Sequence, residues 1–160
     1  MENNNINEYK YLFNNEEKRT TIIKEFEQNL NVYIQETERI WQETKSIDKS
    51  ASKFNDYSQN VLKELQKLND ELRKLSELKS ENFKKDVNFL LNLERDNYKT
   101  TLTIYLNKLQ CFELLKNDED DFKLLQKEKQ IASMKSNLFS IREEINDFIT
   151  NLKYIIIKKI

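Results

Sequence analysis

The chain has 160 residues, 38% hydrophobic and 34% charged, with 27 basic and 28 acidic side chains and a formal charge of -1. That suits one domain with a thin apolar seam rather than a thick core, and it excludes a global basic field for nucleic acid. Glycine, proline and histidine are all absent, which disfavours tight hairpins and parallel α/β folds and removes histidine-based catalysis, the usual His-containing zinc and di-iron sites, and every Gly-dependent phosphate loop.

Residues 1–15 form an Asn-rich stretch without a clear period and are expected to be a frayed tail, although Tyr9, Leu12 and Phe13 could dock as a short helix. Asn14-x-x-Glu17 has the form of a capping box. Behind it Ile23, Phe26, Leu30, Tyr33, Ile34, Thr37 and Trp41 recur at threes and fours, predicting a helix over about 16–46. Ser46 to Ser52 offers side-chain oxygens that compete with helical backbone and can cap a new start.

A second helix, about 53–79, carries Phe54, Ser58, Val61, Leu65, Leu68, Leu72 and Leu75, a heptad seam with one polar position. Ser80 suits the N-cap of a third helix, about 81–116, whose apolar side includes Phe83, Val87, Leu90, Leu91, Tyr98, Leu102, Tyr105, Leu109 and Phe112. Lacking Gly and Pro, these two helices could also run together as one rod. Acids from Asp118 to Asp121 mark a turn. The fourth helix, about 121–157, holds the most regular pattern: Ile131, Met134, Leu138, Ile141, Ile145, Phe148, Leu152 and Ile155 alternate threes and fours. The expected fold is all-α, a single helical domain over 16–157 built as an elongated bundle or helical hairpins of four long amphipathic helices with coiled-coil character.

No catalytic, cofactor-binding or metal-ligating constellation emerges, and no cofactor is expected. Cys111 sits between Leu109 and Phe112 and reads as a packed thiol. The acids of 118–121 lack the glycine and ligand spacing of a calcium loop, and Glu143, Glu144 and Asp147 read as solvent-facing charges. Lys84-Lys85, Lys127 with Lys129, and Lys158-Lys159 are short and interleaved with acids, so direct nucleic-acid binding is disfavoured. Tyr33, Trp41, Tyr98 and Tyr105 are the candidate partner-binding anchors, weighed against plain core roles, because aromatics dominate binding hot spots. The longest apolar run, Tyr154 to Ile157, is too short to span a membrane. One cysteine and a polar start without a signal segment point to an intracellular protein.

Three segments resemble the required-for-excision 1-B domain family of small helical proteins associated with DNA repair. Glu17-Lys-Arg-Thr-Thr-Ile-Ile-Lys-Glu-Phe-Glu27 with Tyr33-Ile34 is similar to the family's opening helix. Leu90-Leu-Asn-Leu93-Glu94 with Tyr98 and Thr100 resembles its core helix, and Met134-Lys135 through Leu138, Glu143, Ile145, Ile149 and Leu152-Lys153-Tyr154 its closing helix. Phe54 and Tyr57 fall where the family carries an aromatic pair. The resemblance covers most of 16–154, with gaps in the second helix, and implies a nuclear accessory factor in excision repair without catalytic residues. The residues by themselves also fit a coiled-coil structural subunit of a cytoplasmic cytoskeletal or tethering complex. Either way the expected partners are other proteins, and self-association through an open seam stays open.

Overall fold

The structure, a computed structural model, describes residues 2–115 and 121–158, with side chains from Ile6 onward. They form four helices: α1 (Glu2–Thr44), α2 (Asp48–Glu77), α3 (Glu81–Leu114) and α4 (Asp121–Lys158). The expected Asn-rich tail is not one. Helix α1 runs unbroken from Glu2, and Asn14-x-x-Glu17 lies inside it rather than at its start. Asn is a poor helix former, but here burial outweighs propensity: Leu12 is fully enclosed, and Tyr9 stands edge-on to Phe83 at 5.2 Å and donates to Asp86 Oδ2 at 2.5 Å.

Helix α1 ends where Lys45 takes a left-handed conformation, φ 55°, with its N-H returning to the Trp41 carbonyl at 2.7 Å. Glycine usually fills such a position; this chain has none to offer. Helices α2 and α3 are separate, as Ser80 foreshadows: its Oγ accepts from the Phe83 N-H at 3.3 Å, capping α3. The acidic turn expected at 118–121 falls mostly on 116–120, outside the described residues; Asp121 opens α4.

Side-chain contacts fix the directions. Asn15 Nδ2 donates to the Leu68 carbonyl at 3.0 Å and Phe26 meets Tyr57 at 5.7 Å, so α2 runs antiparallel to α1. Phe26 stacks on Tyr98 at 5.5 Å and Trp41 nears Phe112 at 6.3 Å, so α3 runs parallel to α1. Phe148 packs on Phe89 at 4.7 Å, turning α4 back along α3. The result is an up-down-up-down bundle. Helices α1, α2 and α3 pack mutually, while α4 lies chiefly on α3 and only lightly on α1.

Burial follows from that arrangement. The α2 seam is filled within the chain, with Phe54, Ser58, Val61, Leu65, Leu68 and Leu72 all buried. Its polar member Ser58 donates Oγ-H to the Phe54 carbonyl at 2.8 Å. On α4, Ile131, Leu138, Ile145 and Leu152 are buried, Met134, Ile141 and Phe148 are half-buried, and Ile155 is exposed with Ile156 buried in its place. A straight helix drifts about 20° per heptad from a seven-residue repeat, so the stripe rotates off the contact by its last turn. Two apolar clusters result. One centres on Phe26, Leu65, Tyr98 and Ile104, the other on Leu12, Phe83, Leu90 and Ile145.

Candidate functional site

Between the two apolar clusters lies a buried polar layer that crosses all four helices. Arg19, only 1% exposed, projects from α1. Its Nη1 donates to Glu16 Oε2 at 2.8 Å, its Nη2 to Asn15 Oδ1 at 2.6 Å and Asn69 Oδ1 at 2.8 Å, and its Nε again to Asn69 at 3.2 Å. Glu94 and Asn97, both buried on α3, face the same layer. From α4, Arg142 Nη2 donates to Glu27 at 2.5 Å and to Thr101 Oγ1 at 3.1 Å, while its Nε donates to Asn97 Oδ1 at 3.0 Å. Arg142 is the polar tie between α4, α3 and α1.

Removal from water, then the neighbouring Glu94 carboxylate, pushes the Glu16 carboxyl up to about 9 against the pull of Arg19. Glu16 therefore holds a proton at neutral pH. Arg19 occupies its Oε2, while the buried Oε1 has no hydrogen-bond partner. A cavity of about 260 Å³ borders this layer between α1, α3 and α4, with Glu16, Glu94, Asn97 and Arg142 in its wall. Among the described residues no cluster of His, Cys, Asp or Glu is arranged to hold a metal ion. Sequence reasoning passed over these residues. The signal was there: Asn15, Glu16 and Arg19 interrupt the apolar face of Leu12, Ile23 and Phe26 at helical spacing, and Glu94 sits between Leu90 and Tyr98 on the face of α3.

The four aromatic candidates all pack in or against the cluster around Phe26 rather than on an exposed surface. Tyr98 and Tyr105 are buried; Tyr98 donates to the Ser58 carbonyl at 3.0 Å and Tyr105 to Asn31 Oδ1 at 2.9 Å. Both are core side chains with satisfied hydroxyls. Tyr33 is half-buried, edge-on to Tyr57 at 5.4 Å. Trp41 is half-buried at the far end of α1, with the Lys45 ammonium 4.1 Å from its ring and its Nε1-H lacking an acceptor. Cys111 is half-buried, and burial together with Glu128 raises its thiol above the usual range, keeping it protonated.

Helix α4 carries several of the exposed apolar side chains. Phe122 is 69% and Phe139 64% exposed, and Leu125 is exposed as well. Along the same helix a groove of about 420 Å³ lies between α1, α3 and α4, lined by Ile34, Cys111, Phe112, Ile131 and Ala132 together with Lys108, Lys135 and Glu128. Burial, with Lys135 nearby, holds the Lys108 ammonium below the usual lysine range. Neither Phe122 nor Phe139 belongs to the α4 stripe, so a search for periodic apolar positions overlooks both. No family model, curated protein or solved structure matches this chain.

Proposed function

We propose that this chain is a non-catalytic helical interaction protein, an accessory factor in DNA excision repair that acts through protein-protein contacts. The observation that carries the interaction reading is the second apolar surface of α4: Phe122, Leu125 and Phe139 stand in solvent on a helix that lines an open groove, although α4 already buries a separate stripe on α3. Large exposed apolar side chains next to a concavity are what a partner covers. The resemblance of residues 17–34, 90–100 and 134–154 to the required-for-excision family supports the place in repair. A coiled-coil subunit loses its motive, because the seams on α2 and α4 that asked for an outside helix are occupied inside the chain.

The test pairs tagged wild type with a Phe122→Ser, Phe139→Ser double variant in the protein's own cells. Both positions are exposed, so circular dichroism should be unchanged. Repair proteins should co-purify with wild type and not with the variant, and only wild type should restore ultraviolet survival to a deletion strain. Normal survival of the deletion, with recovery of cytoskeletal or tethering components alone, overturns the proposal.

A further inference from the structure

The end of the bundle opposite the α4 groove carries a different kind of surface. Phe148 on Phe89 and Arg142 on Asn97 set the α3-α4 register, which places Ile157 level with Ser80; Tyr9 against Phe83 brings the first turns of α1 to the same plane. Three chain segments therefore meet at one tip. Each presents apolar side chains to solvent: Leu78 at 91% exposed in the α2-α3 connection, Ile157 at 68% and Tyr154 at 59% on α4, and Tyr11 on α1.

The charge around them is mixed with a basic excess; in sequence the start of α1 adds Glu2, Glu8 and Lys10, and Glu8 pairs with Lys79 at 3.4 Å. Across residues 72–86 the bases Arg73, Lys74, Lys79, Lys84 and Lys85 outnumber the acids Glu77, Glu81 and Asp86. Residues 151–158 carry Lys153 and Lys158 and no acid. Since the whole chain has a formal charge of -1, this basic excess is offset by acid elsewhere in the chain. Two of the lysines lie over aromatic faces, Lys158 at 4.6 Å from the Tyr154 ring and Lys153 at 5.5 Å from that of Phe13. These are cation-π contacts, with the ammonium drawn to the negative face of each ring.

From this juxtaposition we infer that the tip formed by the α2-α3 connection, the last turns of α4 and the first turns of α1 docks onto an anionic lipid surface, with Leu78, Tyr154 and Ile157 entering the headgroup region and the lysines meeting lipid phosphates and carboxylates. Among the described residues no helix is long and apolar enough to cross a membrane, so the contact is peripheral. Protruding apolar side chains ringed by lysine meet both requirements of interfacial binding, apolar burial and attraction to negative headgroups. The inference does not rest on a role in repair.

Co-sedimentation of the full chain with phosphatidylcholine vesicles, with and without phosphatidylserine, tests it. Binding is expected only with phosphatidylserine and should fade at high salt. Lys85→Gln with Lys158→Gln should weaken partitioning by about fivefold per lysine, and Leu78→Ser with Ile157→Ser by about tenfold per side chain, each with unchanged helicity. Phe122→Ser, at the opposite end, should bind like wild type, which separates this surface from the α4 groove. Absence of sedimentation with phosphatidylserine vesicles, equal binding to both vesicle types, or loss of a concentration-dependent dimer as the sole effect of the tip substitutions overturns the inference.

Discussion

Glu16 is the residue at which chemistry most constrains this fold. In the unfolded chain its carboxyl ionises near the ordinary 4.5, and in the bundle burial and Glu94 raise it to about 9, so folding takes up a proton at any pH between. The sign follows from linkage: the contribution is complete below about pH 4.5 and is lost as pH rises towards 9. Stability should therefore fall across that window, with a limiting slope of about 1 kcal/mol per pH unit for one proton. Glu16→Gln keeps an oxygen for Arg19 Nη1 and a donor for Glu94 but cannot titrate. Urea unfolding from pH 5 to 9 is expected to show a flatter profile for the variant and a smaller deficit at the alkaline end. Parallel profiles for the two proteins would show that Glu16 is ionised in the folded bundle.

At the scale of the element, α4 shows which side chains hold a helix and which merely ride on it. Ile145 is buried among the lower cluster and Phe139, six residues before it, stands in solvent. Ile145→Asp leaves a carboxylate in an apolar site with no partner, a change of several kcal/mol, about 3 or more in the urea midpoint analysis; Phe139→Ser should stay within about 0.5. Equal effects would mean that α4 is seated with a different face inward. The alternation of threes and fours was enough to place this stripe, because periodicity is a local property that one sequence displays; Ser80 marked the start of α3, but without Gly or Pro a continuous α2-α3 rod stayed open until the structure divided them. The N-terminal start of α1 was not readable in the same way. Its Asn-rich turns carry weak propensity, and they are held by Tyr9 reaching Asp86 and Phe83, residues more than 70 positions away. The buried polar layer was hidden for a related reason: a charged residue on an apolar face reads as a blemish until partners from other helices, here Asn69 for Arg19 and Glu27 for Arg142, arrive by tertiary packing.

For the whole molecule, α1, α2 and α3 pack mutually and α4 docks on one of them. Helix α4 joins both apolar clusters through Ile131, Leu138, Ile145 and Leu152, and its pairing with α3 is the most extensive in the bundle, whereas towards α1 it is fastened chiefly by Arg142. Segments open separately when few buried contacts join them to the rest, so the first turns of α4 should open before the remainder of the bundle. In native-state hydrogen exchange the amides of 121–130, where Phe122 and Leu125 are exposed and no residue is buried, should lose protection before the buried turns of any helix. Arg142→Gln removes the ion pair to Glu27 and shortens the reach to Asn97 and Thr101. Loss of a partly buried charge-assisted bond costs about 1.5 to 3 kcal/mol, which should speed exchange along α4 by about tenfold or more while leaving Leu65, Leu72 and their neighbours in α2 unchanged. Because Phe122 and Leu125 of the proposed partner surface lie in the first turns of α4, they can adjust to what they bind without disturbing the core. Uniform acceleration in all four helices would show instead that the bundle unfolds as one unit and that Arg142 stabilises it globally.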